Sequence, residues 1–226
     1  MTIRPLSYLE AAVKDYRRRD VALAAALSGV AGYVDAIGFL KLGGFFVSFM
    51  SGNSTRLGVG LATGHWGAAV TALSLIALFV AGVVVGALAA RWAGEERRSV
   101  VMALEALLLA GAAGLILAGF DKVGVAAMVL AMGAENAVFQ RNGDVGVGLT
   151  YMTGALVKAG QRIAAALTGG DRWAWGPFAL LWAGLTLGGA LGAAAYLRFG
   201  VLALWGAAAV VGALALLRRL EERAPR

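Results

Sequence analysis

The chain has 226 residues, of which 60% are hydrophobic and only 15% are charged. Soluble domains carry about 25% charged residues, so the composition excludes an ordinary soluble domain and predicts an all-α polytopic membrane protein. The net charge of +7 does not indicate nucleic-acid binding, because the basic residues lie at the ends of apolar runs, as the positive-inside rule requires. With no cysteine and only one histidine, His65, we expect no disulfide, no metal and no cofactor.

The N-terminal segment, residues 1–20, is charged and contains a capping box between Ser7 and Glu10. Its apolar residues fall at helical spacing, which predicts an amphipathic helix on the cytoplasmic face of the membrane. A frayed polar tail is the alternative. Residues 21–120 and 121–217 follow as two repeats, and residues 218–226 form a cytoplasmic basic tail.

Six apolar runs approach the roughly 20 residues that a helix needs to cross a bilayer. In chain order they cover residues 21–40, 68–90, 99–120, 123–140, 175–197 and 200–217. Two more polar segments, at about 44–63 and 148–167, lie between these runs. We therefore expect six full transmembrane helices and two broken or re-entrant helical segments.

Each polar segment contains a short window of hydroxyl, glycine and cationic residues. The first window covers residues 49–56 and the second covers residues 151–158. Methionine, hydroxyl, glycine and cation recur in register, since Met152 lies 102 positions after Met50 and Lys158 lies 102 positions after Arg56. The windows differ at Asn53, which Ala155 replaces in the second copy. The shared offset predicts an internal duplication.

Topology decides which kind of repeat this is. If both windows cross the membrane fully, each half has four crossings and the repeats are parallel. If the windows are broken, each half has three full crossings and the second copy is inverted, as in many transporters. We favour the inverted repeat, because it places the arginines of residues 91–98 and both termini on the cytoplasmic side.

Ionisable groups within apolar runs are costly in a membrane and usually face a partner or water. Asp35 lies in the first run, and Glu135 and Asn136 occupy the matching part of the second half. Two uses fit the carboxylates: structural ion pairs with Arg56 and Lys158, or a proton or cation carrier. Glu105 has no counterpart in the other half. It either pairs with an arginine of the preceding loop, which we favour, or faces a cavity.

The windows suit helix starts, where free backbone N–H groups and the helix dipole attract anions. The alternative is that their small residues allow close helix packing and that Asn53 and Ser54 hydrogen-bond a neighbouring helix. The predicted solute-binding residues are Asp35, Ser51, Asn53, Arg56, Glu135, Asn136, Thr153 and Lys158.

Glycines recur at helical spacing on equivalent runs of the two halves. Gly82 and Gly86 in the first half match Gly184 and Gly188 in the second. Such small-residue stripes are packing faces, either inside one chain or between the two chains of a homodimer.

Two signatures resemble a known family. Residues 32–36 followed by residues 49–55, and Asn136-Ala137 followed by residues 151–154, are similar to the YoaK-like family of bacterial inner-membrane proteins, a domain of unknown function (DUF1275). The resemblance covers about residues 20–217. It implies a polytopic protein, usually with six helices, in the cytoplasmic membrane, and it implies no substrate.

The function that we expect is a small transporter or channel in the bacterial inner membrane. Its solute would be small and polar or anionic, because two cations accompany two predicted helix starts, and proton coupling through Asp35 or Glu135 would fit. The alternative is a membrane scaffold or a subunit of a larger complex. An intramembrane enzyme is the weakest hypothesis, because the sequence holds no nucleophile and base in a recognisable pattern.

Overall fold

The structure is a computed structural model that describes residues 18–141, 144–145 and 148–223. The amphipathic helix predicted within residues 1–20 therefore lies almost entirely outside the described residues. Within them the chain forms eight α-helices: α1 (Arg18–Lys41), α2 (Met50–Ala62), α3 (Trp66–Ala93), α4 (Arg97–Leu117), α5 (Asp121–Glu135), α6 (Met152–Leu167), α7 (Gly176–Phe199) and α8 (Ala203–Arg223).

Three short elements connect the helices. Single 3-10 turns, Gly94–Glu96 and Gly200–Leu202, join α3 to α4 and α7 to α8. A small antiparallel hairpin of β1 (Gln140–Arg141) and β2 (Asp144–Val145) follows α5. Apart from these elements and the turns and loops between helices, the described residues are helical, as the composition predicts.

Three stretches of helix are long and apolar enough to cross a membrane: Arg19–Lys41, Trp66–Leu117 and Gly176–Arg223. The second stretch contains α3 and α4, and the third contains α7 and α8. The span predicted over residues 123–140 is wrong in its extent, because α5 ends at Glu135 after 15 residues, about 22 Å of helix. One of the six predicted spans is thus shorter than the roughly 20 residues of a full crossing.

Ion pairs fix which helix termini lie together. Asp20, at the start of α1, lies 2.5 Å from Arg98 at the start of α4 and 4.0 Å from Arg218 near the end of α8. We call this side of the molecule the first end. At the opposite side, the second end, Lys41 at the end of α1 pairs with Asp121 at the start of α5. Helix α1 therefore begins at the first end, whereas α5 begins at the second.

The closest helix contacts join the two halves of the chain. Helix α1 packs along α7, and α3 packs along α5. A β-carbon at Gly188 would lie 1.9 Å from the carbonyl oxygen of Gly29, and one at Gly86 would lie 2.6 Å from the carbonyl oxygen of Ala134. Backbone thus touches backbone, which only glycine permits.

The glycine stripes are consequently occupied inside the chain. The contacts advance in step along both pairs: Gly184 with Ala25, Gly188 with Gly29 and Gly192 with Tyr33; Gly82 with Leu130 and Gly86 with Ala134. Each pair is therefore parallel. Of the two uses predicted for these stripes, packing inside one chain is formed, because Gly82, Gly86, Gly184 and Gly188 are covered by neighbouring helices of the same chain.

The core lies where α4 packs against both α5 and α8. Met102 and Leu109 of α4 and Met128 and Met132 of α5 are fully buried. Large apolar side chains on the outside of the helices remain exposed, as they do when the surrounding medium is lipid. These include Val80, Val84, Leu187 and Leu191.

Helices α2 and α6 are short and begin inside the helical body; we call them the half-helices. Before α2, the chain turns back so that Val47 contacts Gly38 of α1, and α2 then runs outward for 13 residues, about 20 Å. Before α6, Leu149 and Met152 contact Ser28, in the first half of α1. The half-helices run towards opposite ends, since α3 begins at the second end and α7 at the first.

Candidate functional site

The starts of the two half-helices meet at a cavity of about 220 Å³. The first half supplies the residues from Ser48 to Ser51 and also Phe79, and the second half supplies those from Thr150 to Gly154. Equivalent positions of the two windows, such as Ser51 and Thr153, therefore line one space. Of the eight predicted solute-binding residues, these two line the cavity.

Neither half-helix has a side-chain cap at its start. Phe49 and Tyr151 occupy the N-cap positions, and neither makes a capping hydrogen bond through its side chain. The first N–H groups of a helix have no partner within the helix, and together with the helix dipole they favour negative charge nearby. At the start of α2 the N–H groups of Met50 and Gly52 donate to the carbonyls of Ser48 and Phe49, so the attraction of the cavity for anions rests mainly on the dipoles of the two helices.

Asp35 fixes the segment that precedes the first half-helix. Its carboxylate accepts hydrogen bonds from the backbone N–H groups of Val47 and Ser48, both at 2.8 Å. The alternative pairing of Asp35 with Arg56 is not formed. Asp35 therefore positions the residues at the cavity edge without lining the cavity.

Asn136 occupies the equivalent place in the second half. Its side-chain N–H donates to the carbonyl of Met132 at 3.0 Å, and its oxygen accepts from the Thr150 hydroxyl at 3.4 Å. Ser48 and Thr150 lie 102 positions apart, so both halves use the same device. A polar group on α1 in the first half, and at the C-cap of α5 in the second, holds the residue two positions before the half-helix.

Asn53 also has a positioning role. Its side chain is fully buried, accepts from the backbone N–H of Phe46 at 3.1 Å and donates to the Phe46 carbonyl at 2.7 Å. This pair of bonds closes the loop onto α2. Ala155 takes the matching position in the second half, where the side chain forms no such bridge.

The two cations of the windows lie away from the cavity lining. The Arg56 guanidinium lies 4.9 Å from the centre of the Phe45 ring, and the Lys158 ammonium lies 5.8 Å from that of Phe178. Each contact is a cation–π interaction.

Glu135 lies at the end of α5, fully buried and outside the cavity lining. Within the described part of the chain, no hydrogen-bond donor reaches its carboxylate, and the same holds for Glu105. The prediction that Glu105 pairs with an arginine of the preceding loop is therefore wrong. Arg98 of that loop pairs instead with Asp20.

Aromatic residues that are not among the predicted site residues form much of the cavity wall. Phe49 and Tyr151 lie 102 positions apart at the two N-cap positions, and Phe79 of α3 completes the lining. The sequence could have indicated Phe49 and Tyr151, because the repeat places an aromatic residue at the same position of both windows. Phe79 carries no such signal in an apolar run.

Replacing Asp35 with alanine is expected to destabilise the fold by about 3 kcal/mol, because two backbone N–H groups lose their acceptor. Asp35→Asn keeps an acceptor oxygen, as Asn136 does in the second half, and we expect it to cost less than about 1 kcal/mol. Thermal denaturation in detergent measures both, with Glu95→Ala on the exposed α3–α4 connection as control. Equal losses for the alanine and asparagine variants would contradict the anchoring role.

Long apolar helices with an apolar exterior define an integral membrane protein. The family model "Protein of unknown function (DUF1275)" matches residues 23–217, and the chain belongs to this family. The resemblance seen in the two signatures is thereby confirmed. The UPF0700 transmembrane protein RA0705 of Rhizobium meliloti (strain 1021) is 35% identical over 196 residues, which cover 84% of this chain and 83% of that protein. No solved structure matches the chain.

Proposed function

We propose that the protein is a small transporter or channel for a small polar or anionic solute, which binds where the two half-helices begin. The observation that carries this proposal is the cavity shared by the two windows. A scaffold needs no such space, whereas a solute route through a membrane protein does. At about 220 Å³ the cavity is below the 300–1,000 Å³ of drug-sized pockets, which favours an inorganic ion or a small metabolite.

The chemistry of the lining supports this class of solute. Hydroxyl groups of Ser51 and Thr153 lie beside the two uncapped helix starts, and both features suit an oxygen-rich or anionic solute. The aromatic rings of Phe49 and Tyr151 supply an apolar wall. Arg56 and Lys158 do not line the cavity, so in this proposal they anchor the half-helices and the dipoles of the two helix starts attract the solute.

We also propose that the halves are inverted repeats. The support is that equivalent helices begin at opposite ends: α1 at the end of Asp20 and Arg98, and α5 at the end of Lys41 and Asp121. The cross-packing agrees, since the first helix of each half packs on the third helix of the other. In transporters, this arrangement places the solute site between the repeats near the midplane.

Solute flux in liposomes tests the function. Purified protein in sealed vesicles should pass small anions such as chloride, nitrate, formate or phosphate, or small neutral polar solutes, faster than protein-free vesicles do. A screen with and without a pH gradient also reports proton coupling. The absence of flux for every solute, with the protein folded and correctly inserted, would overturn the proposal in favour of a scaffold.

The chain has no cysteine, so single cysteines report orientation directly. In the proposed inner-membrane topology both termini and the α3–α4 connection are cytoplasmic. A cysteine at Glu95, which is exposed near the first end, should then react with a membrane-impermeant thiol reagent only in opened cells. A cysteine at Lys122, exposed near the second end, should react in intact cells once the outer membrane is permeabilised. The reverse result would contradict this orientation.

A further inference from the structure

Two glutamates outside the proposed solute cavity lie within the helical body. Glu105 is on α4 and Glu135 ends α5, and both side chains are fully buried. Among the described residues no donor lies within hydrogen-bonding distance of any of their four carboxylate oxygens. An ionised carboxylate in such a place is strongly disfavoured unless a partner compensates it.

The packing register brings these two side chains together. Helices α4 and α5 are antiparallel, and a β-carbon at Gly124 of α5 would lie 2.3 Å from Ile116 of α4. Glu105 lies eleven residues before Ile116 on α4, and Glu135 lies eleven residues after Gly124 on α5. Because the helices are antiparallel, both steps lead from the contact towards the first end. Eleven residues are about three helical turns, so both glutamates stand at one level on the facing sides.

Other charged groups on the surrounding helices lie nearer the ends of the body. Towards the first end these are Asp20 of α1, Arg91 of α3, Arg97 and Arg98 of α4, and the charged residues between Arg218 and Arg223 of α8. Towards the second end they are Asp35 and Lys41 of α1 and Asp121 and Lys122 of α5. Tyr33 of α1 donates its hydroxyl proton to the carbonyl of Ala203.

On the side of the first end, the buried ring of Phe139 and the side chain of Arg98 lie next to the glutamate pair. Phe139 follows Glu135 by one helical turn in sequence and is 1% exposed. The Arg98 guanidinium lies 5.2 Å from the centre of its ring and also pairs with Asp20. Arg98 is therefore held beside this ring, about two turns of α4 from Glu105, and does not reach the carboxylates.

We propose that Glu105 and Glu135 form a proton-binding pair that holds at least one proton at neutral pH. A bound proton removes one negative charge, and the protonated carboxyl group becomes a hydrogen-bond donor towards its neighbour. Carboxyl groups forced together share protons in this way because two like charges at close range cannot both be stable.

A proton fits the site better than a metal cation does. Calcium takes six to eight oxygen ligands and magnesium requires an octahedral set, whereas apolar residues such as Met102, Met128 and Met132 are buried along the two helices. Within the described residues no group of three or more acidic, histidine or cysteine side chains lies together. A proton needs only the two carboxyl groups.

The binding of the proton is independent of transport, whereas its use to couple solute movement to a proton gradient rests on the proposed function. The pair sits between α4 and α5, and Asn136, which follows Glu135, bonds the segment before the second half-helix. A change in protonation at Glu135 therefore lies one residue from the group that positions Thr150 at the cavity. Through this connection, a change in protonation at Glu135 can change the position of Thr150 at the solute cavity.

Infrared spectroscopy of the protein in lipid tests the pair without any transport assay. Samples carry Asp35→Asn, so that a third carboxyl group within a helix does not contribute. At about pH 7, where exposed carboxyl groups with ordinary pKa values near 4 are ionised, we expect the C=O band of a protonated carboxyl group, equivalent to at least one per chain. The band should shift in D2O and be lost in Glu105→Gln/Glu135→Gln.

Glu96→Gln, on the α3–α4 connection, is the matched control and should retain the band. If the double variant does not fold, glutamate labelled with 13C at the side-chain carboxyl replaces it, and the band must then shift to lower frequency. The proposal would be overturned by any of three results: no protonated-carboxyl band at neutral pH, a band that remains after the double substitution, or a band whose frequency does not change with the glutamate label. A band with the expected behaviour in a protein that passes no solute would leave the proton site standing and remove the transport proposal.

Discussion

Replacing Gly188 with alanine is expected to prevent stable folding, although alanine adds only one methyl group. That carbon would lie 1.9 Å from the carbonyl oxygen of Gly29 and 2.7 Å from its carbonyl carbon. The atoms that the methyl group would meet are backbone atoms of Gly29, so no side chain can rotate away. Helices α1 and α7 must therefore move apart along their contact. Overpacking of a tight core costs up to about 3 kcal/mol, and we expect a loss at or above this value.

The neighbouring glycine provides a matched control. A β-carbon at Gly189 would lie 3.6 Å from the carbonyl oxygen of Gly32, an ordinary contact, so Gly189→Ala should fold normally. The two variants differ by one position on the same helix and have identical composition. Yield of monodisperse protein in mild detergent and the thermal midpoint distinguish them. Equal behaviour of the two alanine variants would contradict the close packing of α1 on α7.

Filling the cavity should abolish transport without unfolding the protein. Gly154 lines the cavity, and a β-carbon built there meets nothing within 4 Å. A leucine at this position therefore fits the backbone while its side chain occupies the space between the two helix starts. We expect Gly154→Leu to reduce solute flux in liposomes at least tenfold, with its thermal midpoint close to that of the wild type.

Gly160→Leu controls for the added apolar bulk on the same half-helix. Gly160 lies about two turns further along α6, is exposed, and a β-carbon there also meets nothing within 4 Å. Its flux should match that of the wild type. If both leucine variants transport equally well, the solute does not pass between the two helix starts, whereas equal loss in both would indicate a general effect on α6.

The parts of the fold that follow from local chemistry could be predicted from the sequence. A polar window in an apolar chain carries a large cost in lipid, and its repetition at a constant offset indicated two matched broken segments. The helix starts at Met50 and Met152 lie within one or two residues of the hydroxyl and glycine positions that suggested them.

The contacts that depend on distant segments could not be predicted in this way. Asp35 and Arg56 are close in sequence and opposite in charge, yet the turn before α2 brings backbone N–H groups to Asp35 first. Glu105 was expected to meet an arginine, but Arg98 is taken by Asp20, which lies on another helix. The end of α5 at Glu135 could not be predicted from hydropathy, because the apolar residues Ala137, Val138 and Phe139 follow Asn136 and extend the apolar run past the end of the helix.

The crossed packing of the halves has a consequence for biosynthesis. Helix α1 packs closely on the glycine face of α7, and α3 packs closely on α5. These close contacts of the first half can form only after the second half has been synthesised. Until then, α1 must remain in the bilayer with the backbone around Gly29 open to lipid. Neither half alone therefore contains the helix surfaces that complete its packing.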